Sequence, residues 1–87
     1  MRFNYYIDLE QWASENNYDA DNFLDEEVVL QKSYSRIIRF YLLNEDGTHA
    51  QLTGYQSDIE GLYDIALIQE GLTRHEEIVE VKTFVYK

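Results

Sequence analysis

Residues 34–43, YSRIIRFYLL, leave this chain little freedom about its centre. Ile38, Phe40 and Leu42 fall on one side of an extended chain; Ile37, Arg39, Tyr41 and Leu43 fall on the other. That period of two is the signature of a strand with one face in a core. Asn44-Glu45-Asp46-Gly47 follows, and Asp-Gly supplies the left-handed backbone a tight reversal needs. Residues 48–55, THAQLTGY, then return as the partner strand, with Ala50 and Leu52 inward. An antiparallel hairpin is therefore the nucleus around which the rest is read.

At the amino end, Phe3, Tyr5 and Ile7 alternate with polar neighbours over residues 2–7, a further strand pattern. Asp8 with Gln11 three residues on has the form of a capping box, and Leu9, Trp12 and Ala13 share one helical face. Asn16-Asn17 ends that helix. Residues 18–31 fit a second helical segment through Phe23, Leu24, Val28 and Leu30, with irregular structure as the alternative. Ser57-Asp58-Ile59-Glu60 is the clearer capping box; Ile59, Leu62, Tyr63, Ala66 and Leu67 recur at helical spacing to Gly71. Gly61 lies inside that reading, where close packing on Trp12 or a tyrosine accounts for it. Residues 77–86 read as a last strand with Val79, Val81 and Val85 on one side. The succession strand, helix, strand, strand, helix, strand is the βαββαβ order. The expected fold is an α+β ferredoxin-like sandwich, a four-stranded antiparallel sheet with helices on one face. A single domain, 1–87, is expected at this length.

The function classes are narrowed by charge. The chain has 17 acids against 7 lysines and arginines, a net charge of −10. Between Phe3 and Gln31 there are eight carboxylates and no lysine or arginine. Residues 1–31, 32–56 and 57–87 carry −7, +1 and −4, so the central hairpin is nearly balanced. Such a field excludes direct binding to nucleic acid, whose phosphates require cations, and disfavours anionic membranes. The absence of cysteine and of any long apolar run points to a cytoplasmic setting, a bacterial host cell if the chain is phage-encoded.

Catalytic and cofactor motifs are absent. There is no cysteine nucleophile, and His49 and His75 read as exposed positions near turns. Asp19-Ala20-Asp21-Asn22 has the opening of a calcium loop, but Leu24 and Leu30 stand where an EF-hand requires Gly and Glu. His75-Glu76-Glu77 is a solvated stretch rather than a cation site. No cofactor or metal is expected, and the many carboxylates make chance acid pairs common, so a carboxylate enzyme is the third-ranked reading.

The acids remain. Carboxylates one helical turn apart stand about 5–6 Å apart, near the spacing of phosphates along one nucleic-acid strand. The candidate partner-binding residues are Glu10, Glu15, Asp19, Asp21, Asp25, Glu26 and Glu27, extended by Asp58, Glu60 and Asp64. Tyr6, Tyr18, Tyr34, Tyr55 and Tyr86 are too many for so thin a core, and tyrosine is favoured at interfaces. In size, charge and aromatic content the chain resembles the small acidic inhibitors that bacteriophages direct at host nucleic-acid enzymes, anti-restriction and anti-CRISPR proteins among them. The resemblance implies a non-enzymatic DNA mimic that docks on a basic nucleic-acid-binding protein or nuclease complex. The competing reading is a protein-interaction module such as an antitoxin, immunity protein or assembly adaptor, with the charge serving solubility alone.

Overall fold

A computed structural model describes residues 1–77 and 83–87. The central hairpin forms as the alternation requires. Its strands lie in a five-stranded antiparallel sheet built from β1 (Arg2–Tyr5), β2 (Leu24–Gln31), β3 (Arg36–Leu43), β4 (His49–Ser57) and β5 (Gly61–Leu72), in the order β1-β5-β4-β3-β2. One helix, α1 (Tyr6–Glu15), crosses the sheet between its two edge strands. A separate two-stranded hairpin pairs β6 (Arg74–Glu77) with β7 (Thr83–Tyr86).

This architecture corrects the ferredoxin-like expectation: the sheet has five strands, and one helix is present among the described residues. The misread segment is 57–72. Ser57 Oγ does accept the Glu60 N–H (3.0 Å), the bond a capping box would make. Here it closes a turn. Gly61 then takes a left-handed backbone (φ +69°), and the chain continues as β5. Asp64 (φ +46°) sits at a bulge that shifts the register between β4 and β5. An inserted residue turns a period of two into a local spacing of three. Leu62 and Ile65 consequently both face the core, where a regular strand would separate them. That spacing is what imitated a helix.

The second correction concerns residues 18–31. They form a loop followed by edge strand β2, because Val28, Val29 and Leu30 suit an extended chain and find β3 as a partner. Two register shifts interrupt β2, between Leu24 and Glu27 and between Val28 and Leu30, and Asp25 has φ +48°. At the amino end, the helix starts at Tyr6 rather than after Asp8, with the Asp8 carboxylate accepting the Tyr5 N–H (3.2 Å). Asn16 ends it as the sequence predicts, and Asn17 follows at φ 65°. Of the expected last strand, Thr83–Tyr86 form β7 and Glu77 closes β6, which begins earlier at Arg74; Val79 and Val81 lie outside the described residues.

One face of the sheet holds the core. Ile38, Phe40 and Leu42 of β3, Ala50 and Leu52 of β4, Leu62 and Ile65 of β5 and Phe3 of β1 are packed against Leu9 and Ala13 of α1. Phe23 stacks on Phe40 (4.2 Å between ring centres), and Trp12 lies between Phe3 and Tyr18 at 5.4 and 5.0 Å. Leu9, Ile38, Phe40, Leu42, Leu52 and Ile65 are completely buried, each worth about 1.5–3 kcal/mol.

The opposite face, called the open face below, carries Ile37, Arg39 and Tyr41 of β3 and the residues of β4 that pair with them. The β6–β7 hairpin covers only one end of it. Tyr86 stacks on Tyr41 at 3.5 Å and meets the ring of His49 edge-on at 5.3 Å. Contrary to the sequence reading, His49 is thereby buried, while His75 is exposed. Among the described residues no helix is long and apolar enough to cross a membrane.

Candidate functional site

The geometry of the chain divides its acids into two populations. β3 runs from Arg36, opposite Gln56, to Leu43, opposite His49. The helix starts beside the Gly61 end of the sheet, because Tyr5 pairs with Tyr63, and finishes at the other end, where the Asn44 amide donates to the Asn16 carbonyl (2.9 Å). The loop after α1 is stitched to that end by Asp19 N–H to the Leu43 carbonyl and Glu45 N–H to the Asn17 carbonyl, both 2.9 Å. Sequence-distant carboxylates are thereby gathered around the carboxyl end of α1.

Glu10 and Glu15 project from α1, and Asp19 and Asp21 from the loop; all four are exposed. The anions of Glu10, Asp21 and Asp19 act together on Tyr6, whose hydroxyl donates to the Ala20 carbonyl (2.7 Å). Burial first, then those three charges in that order, raise its pKa. Tyr18 reports the same field from the other side. Its buried hydroxyl donates to Glu70 (2.8 Å), and burial, this bond and the nearby charges of Glu70 and Asp46 push its pKa to about 12. Glu45, Asp46 and Glu70 therefore join the patch. Nothing local in the sequence flags them: Glu45 and Asp46 read as turn residues, and Glu70 reads as helix surface until β5 is known to be a strand.

Crowded carboxylates ordinarily resist ionisation. Here neutral donors counteract that. The Asn22 amide (3.0 Å) and the Asp21 N–H (2.9 Å) hold Asp19 below its ordinary value, and Thr48 does the same for Asp46 through its hydroxyl and its N–H. A shallow depression of about 340 Å³ opens within the patch, lined by Ser14, Asn17, Tyr18, Asp19, Leu43, Asn44 and Glu45. Its residues offer carboxylate, amide and hydroxyl oxygens to a visiting cation or N–H donor.

The remaining expected site residues are elsewhere. Asp25 faces the open side, where it accepts two hydrogen bonds from Arg74 (3.1 and 3.2 Å) and one from the Tyr86 hydroxyl. Burial raises the Asp25 pKa, but the Tyr86 and Arg74 bonds outweigh it and hold the carboxyl below its usual range. Glu27 pairs with Arg39 (2.5 Å), and Asp64 with Arg2 (3.2 Å). Glu26 is exposed on β2. Asp58 and Glu60 occupy the β4–β5 turn, at the opposite end of the sheet from Asp19, about 25 Å away along eight residues of strand. The ten residues thus do not make one surface: Glu10, Asp19 and Asp21 converge on Tyr6, Glu15 is exposed at the carboxyl end of the same helix, and Asp25, Glu27 and Asp64 are neutralised by arginines.

All three ion pairs among the described residues lie on the open face. The acids Asp25, Glu27 and Asp64 are thus paired on the bare side of the sheet, where Lys32 also lies over the Tyr55 ring, while Glu10, Asp19 and Asp21 stay without a cation among the described residues on the helical side. Comparison with protein-family models, with curated proteins and with solved structures gives no match for this chain.

Proposed function

We propose that this protein is a non-enzymatic inhibitor that docks its anionic helical end on the basic nucleic-acid site of a partner protein, in the manner of phage anti-defence proteins. The observation that carries this reading is the gathering of Glu10, Glu15, Asp19, Asp21, Glu45, Asp46 and Glu70 around a helix only about 15 Å long, with no cation paired to them among the described residues. A single nucleic-acid strand presents about one charge per 3.4 Å, so seven charges on this end are of the density a phosphate-binding groove accommodates. Hydrogen bonds from Asn22 and Thr48 keep Asp19 and Asp46 ionised through such an encounter. The same low values favour binding over acid catalysis, which needs a carboxyl held high.

The test is charge reversal at the two ends. Binding to a restriction endonuclease or a CRISPR effector is measured for Asp19→Lys/Asp21→Lys and for Asp58→Lys/Glu60→Lys. The reading expects the first pair to abolish binding, the second to change it little, and wild-type affinity to fall steeply with salt. Binding that survives the first pair and is flat in salt assigns the protein instead to interaction modules without nucleic-acid mimicry.

A further inference from the structure

We infer that the open face is a self-association surface, on which a second copy of this chain packs sheet to sheet. The part the hairpin leaves uncovered consists of Ile37, Thr53, Tyr55, Tyr63 and Ala66, all half-exposed, with the Tyr55 and Tyr63 rings 5.7 Å apart and the Lys32 ammonium resting over the Tyr55 ring at 4.8 Å. Electrostatics select the occupant. A chain of −10 repels its own copies in most orientations, but the acids on this side are cancelled: Asp25 by Arg74, Glu27 by Arg39, Asp64 by Arg2. Sheets pack about 10 Å apart. The molecule is 19 Å across its thinnest dimension, so stacking bare face on bare face leaves the two anionic helical sides outermost, roughly 30 Å apart. That exceeds the screening length of about 8 Å at physiological salt several-fold. Other pairings bring uncompensated carboxylates closer together.

The hairpin decides which two-fold is allowed. β6–β7 stands on the open face at the His49 end, and the bare patch lies toward the Gly61 end. A two-fold along the strands sets hairpin against hairpin and holds the sheets apart. A two-fold across the strands, centred on the bare patch, moves each hairpin past the end of the partner sheet. That end also carries the loop tips with Tyr34 (94% exposed) and Ile59 (96% exposed), which add apolar surface beside the patch. The flat area of the patch, three strands by about five residues, is roughly 240 Å² per copy. That is less than a permanent interface requires, so the dimer is weak and reversible. It leaves the anionic ends free and stands independently of the inhibitor reading.

Sedimentation velocity of the full chain from micromolar to near-millimolar concentration tests this. The expected result is a reversible monomer–dimer equilibrium that Thr53→Lys weakens about a hundredfold or more by facing two unpaired ammonium groups across the axis. Val29→Lys, on the β2 edge, is expected to leave the equilibrium unchanged. Far-UV circular dichroism checks that both variants are folded. In the wild type, which needs no substitution, the amides of Thr53 and Tyr63 are expected to exchange more slowly as concentration rises. A monomer at every concentration overturns the inference, as does a dimer that Val29→Lys abolishes and Thr53→Lys spares.

Discussion

Gly54 offers a quantitative test of how β5 is seated. It lies on the core face of β4, opposite Ile38. A methyl group placed there would stand 2.9 Å from Leu62 Cδ1 and 3.2 Å from Ile65 Cγ1. Replacing glycine by alanine inside a strand is by itself worth about 0.5–1 kcal/mol of stabilisation, by analogy with the backbone-entropy cost of glycine. Overpacking a tight core costs about 1–3 kcal/mol. Leu62 Cδ1 ends a side chain that can turn aside, whereas Ile65 Cγ1 is held one bond from its Cβ and gives less, so Gly54→Ala is expected to destabilise by about 1 kcal/mol, or a fall in Tm of roughly 4–8 °C for a domain of this size. Leu62→Ala alone should cost about 2–5 kcal/mol through the void it leaves. The double variant should cost less than the sum by about 1 kcal/mol or more, because the new methyl occupies space that Leu62 vacates. Urea unfolding of the four proteins, fitted with a common slope, measures this coupling. A stabilising Gly54→Ala together with strict additivity with Leu62→Ala would refute the placement of Leu62 against Gly54 and with it the bulge at Asp64.

Three further outcomes follow from the same structure. Tyr18, raised from 10.0 to about 12, contributes stability that is complete below pH 10 and is lost as pH rises toward 12, on the order of 2–3 kcal/mol in total. Tyr18→Phe should remove that part of the alkaline decline in the urea midpoint. Asp25 is depressed from 3.8, so its contribution to holding the β6–β7 hairpin is present above that pH and disappears on acidification through the folded value. Hydrogen exchange should therefore show faster exchange at Arg74 and Tyr86 in Asp25→Ala at neutral pH, with the amides of β3 and β4 unaffected. Phe40→Ala, at a fully buried position stacked on Phe23, should cost about 3–5 kcal/mol, enough to leave much of the chain unfolded at 37 °C by circular dichroism.

The parts of the fold legible in the sequence were those with an unbroken period. The alternation through Ile38, Phe40 and Leu42 placed β3, the Asp46-Gly47 turn placed β4, and Leu9, Trp12 and Ala13 placed the buried side of α1. The illegible parts were those where a single residue breaks the period. The bulge at Asp64 disguised β5 as a helix. The irregular edge of β2, with an apolar run Val28-Val29-Leu30 exposed on both sides, matched neither template. For the candidate site, charge density along the chain drew attention to Glu10, Glu15, Asp19 and Asp21, which the fold leaves exposed. It could not show that Asp25, Glu27 and Asp64 meet arginines 49, 12 and 62 residues away, because those encounters depend on strand order.

The irregularity of β2 has a bearing beyond this fold. Three consecutive aliphatic residues on the rim of a sheet, with no proline among them, are the kind of segment that seeds cross-β growth. A straight rim would present evenly spaced N–H and C=O groups to any passing extended chain. The two kinks break that spacing, and the acids beside them repel identical neighbours. A deletion that straightened the rim would therefore leave an even ladder of N–H and C=O groups open to strand addition, with the centre of the sheet unchanged.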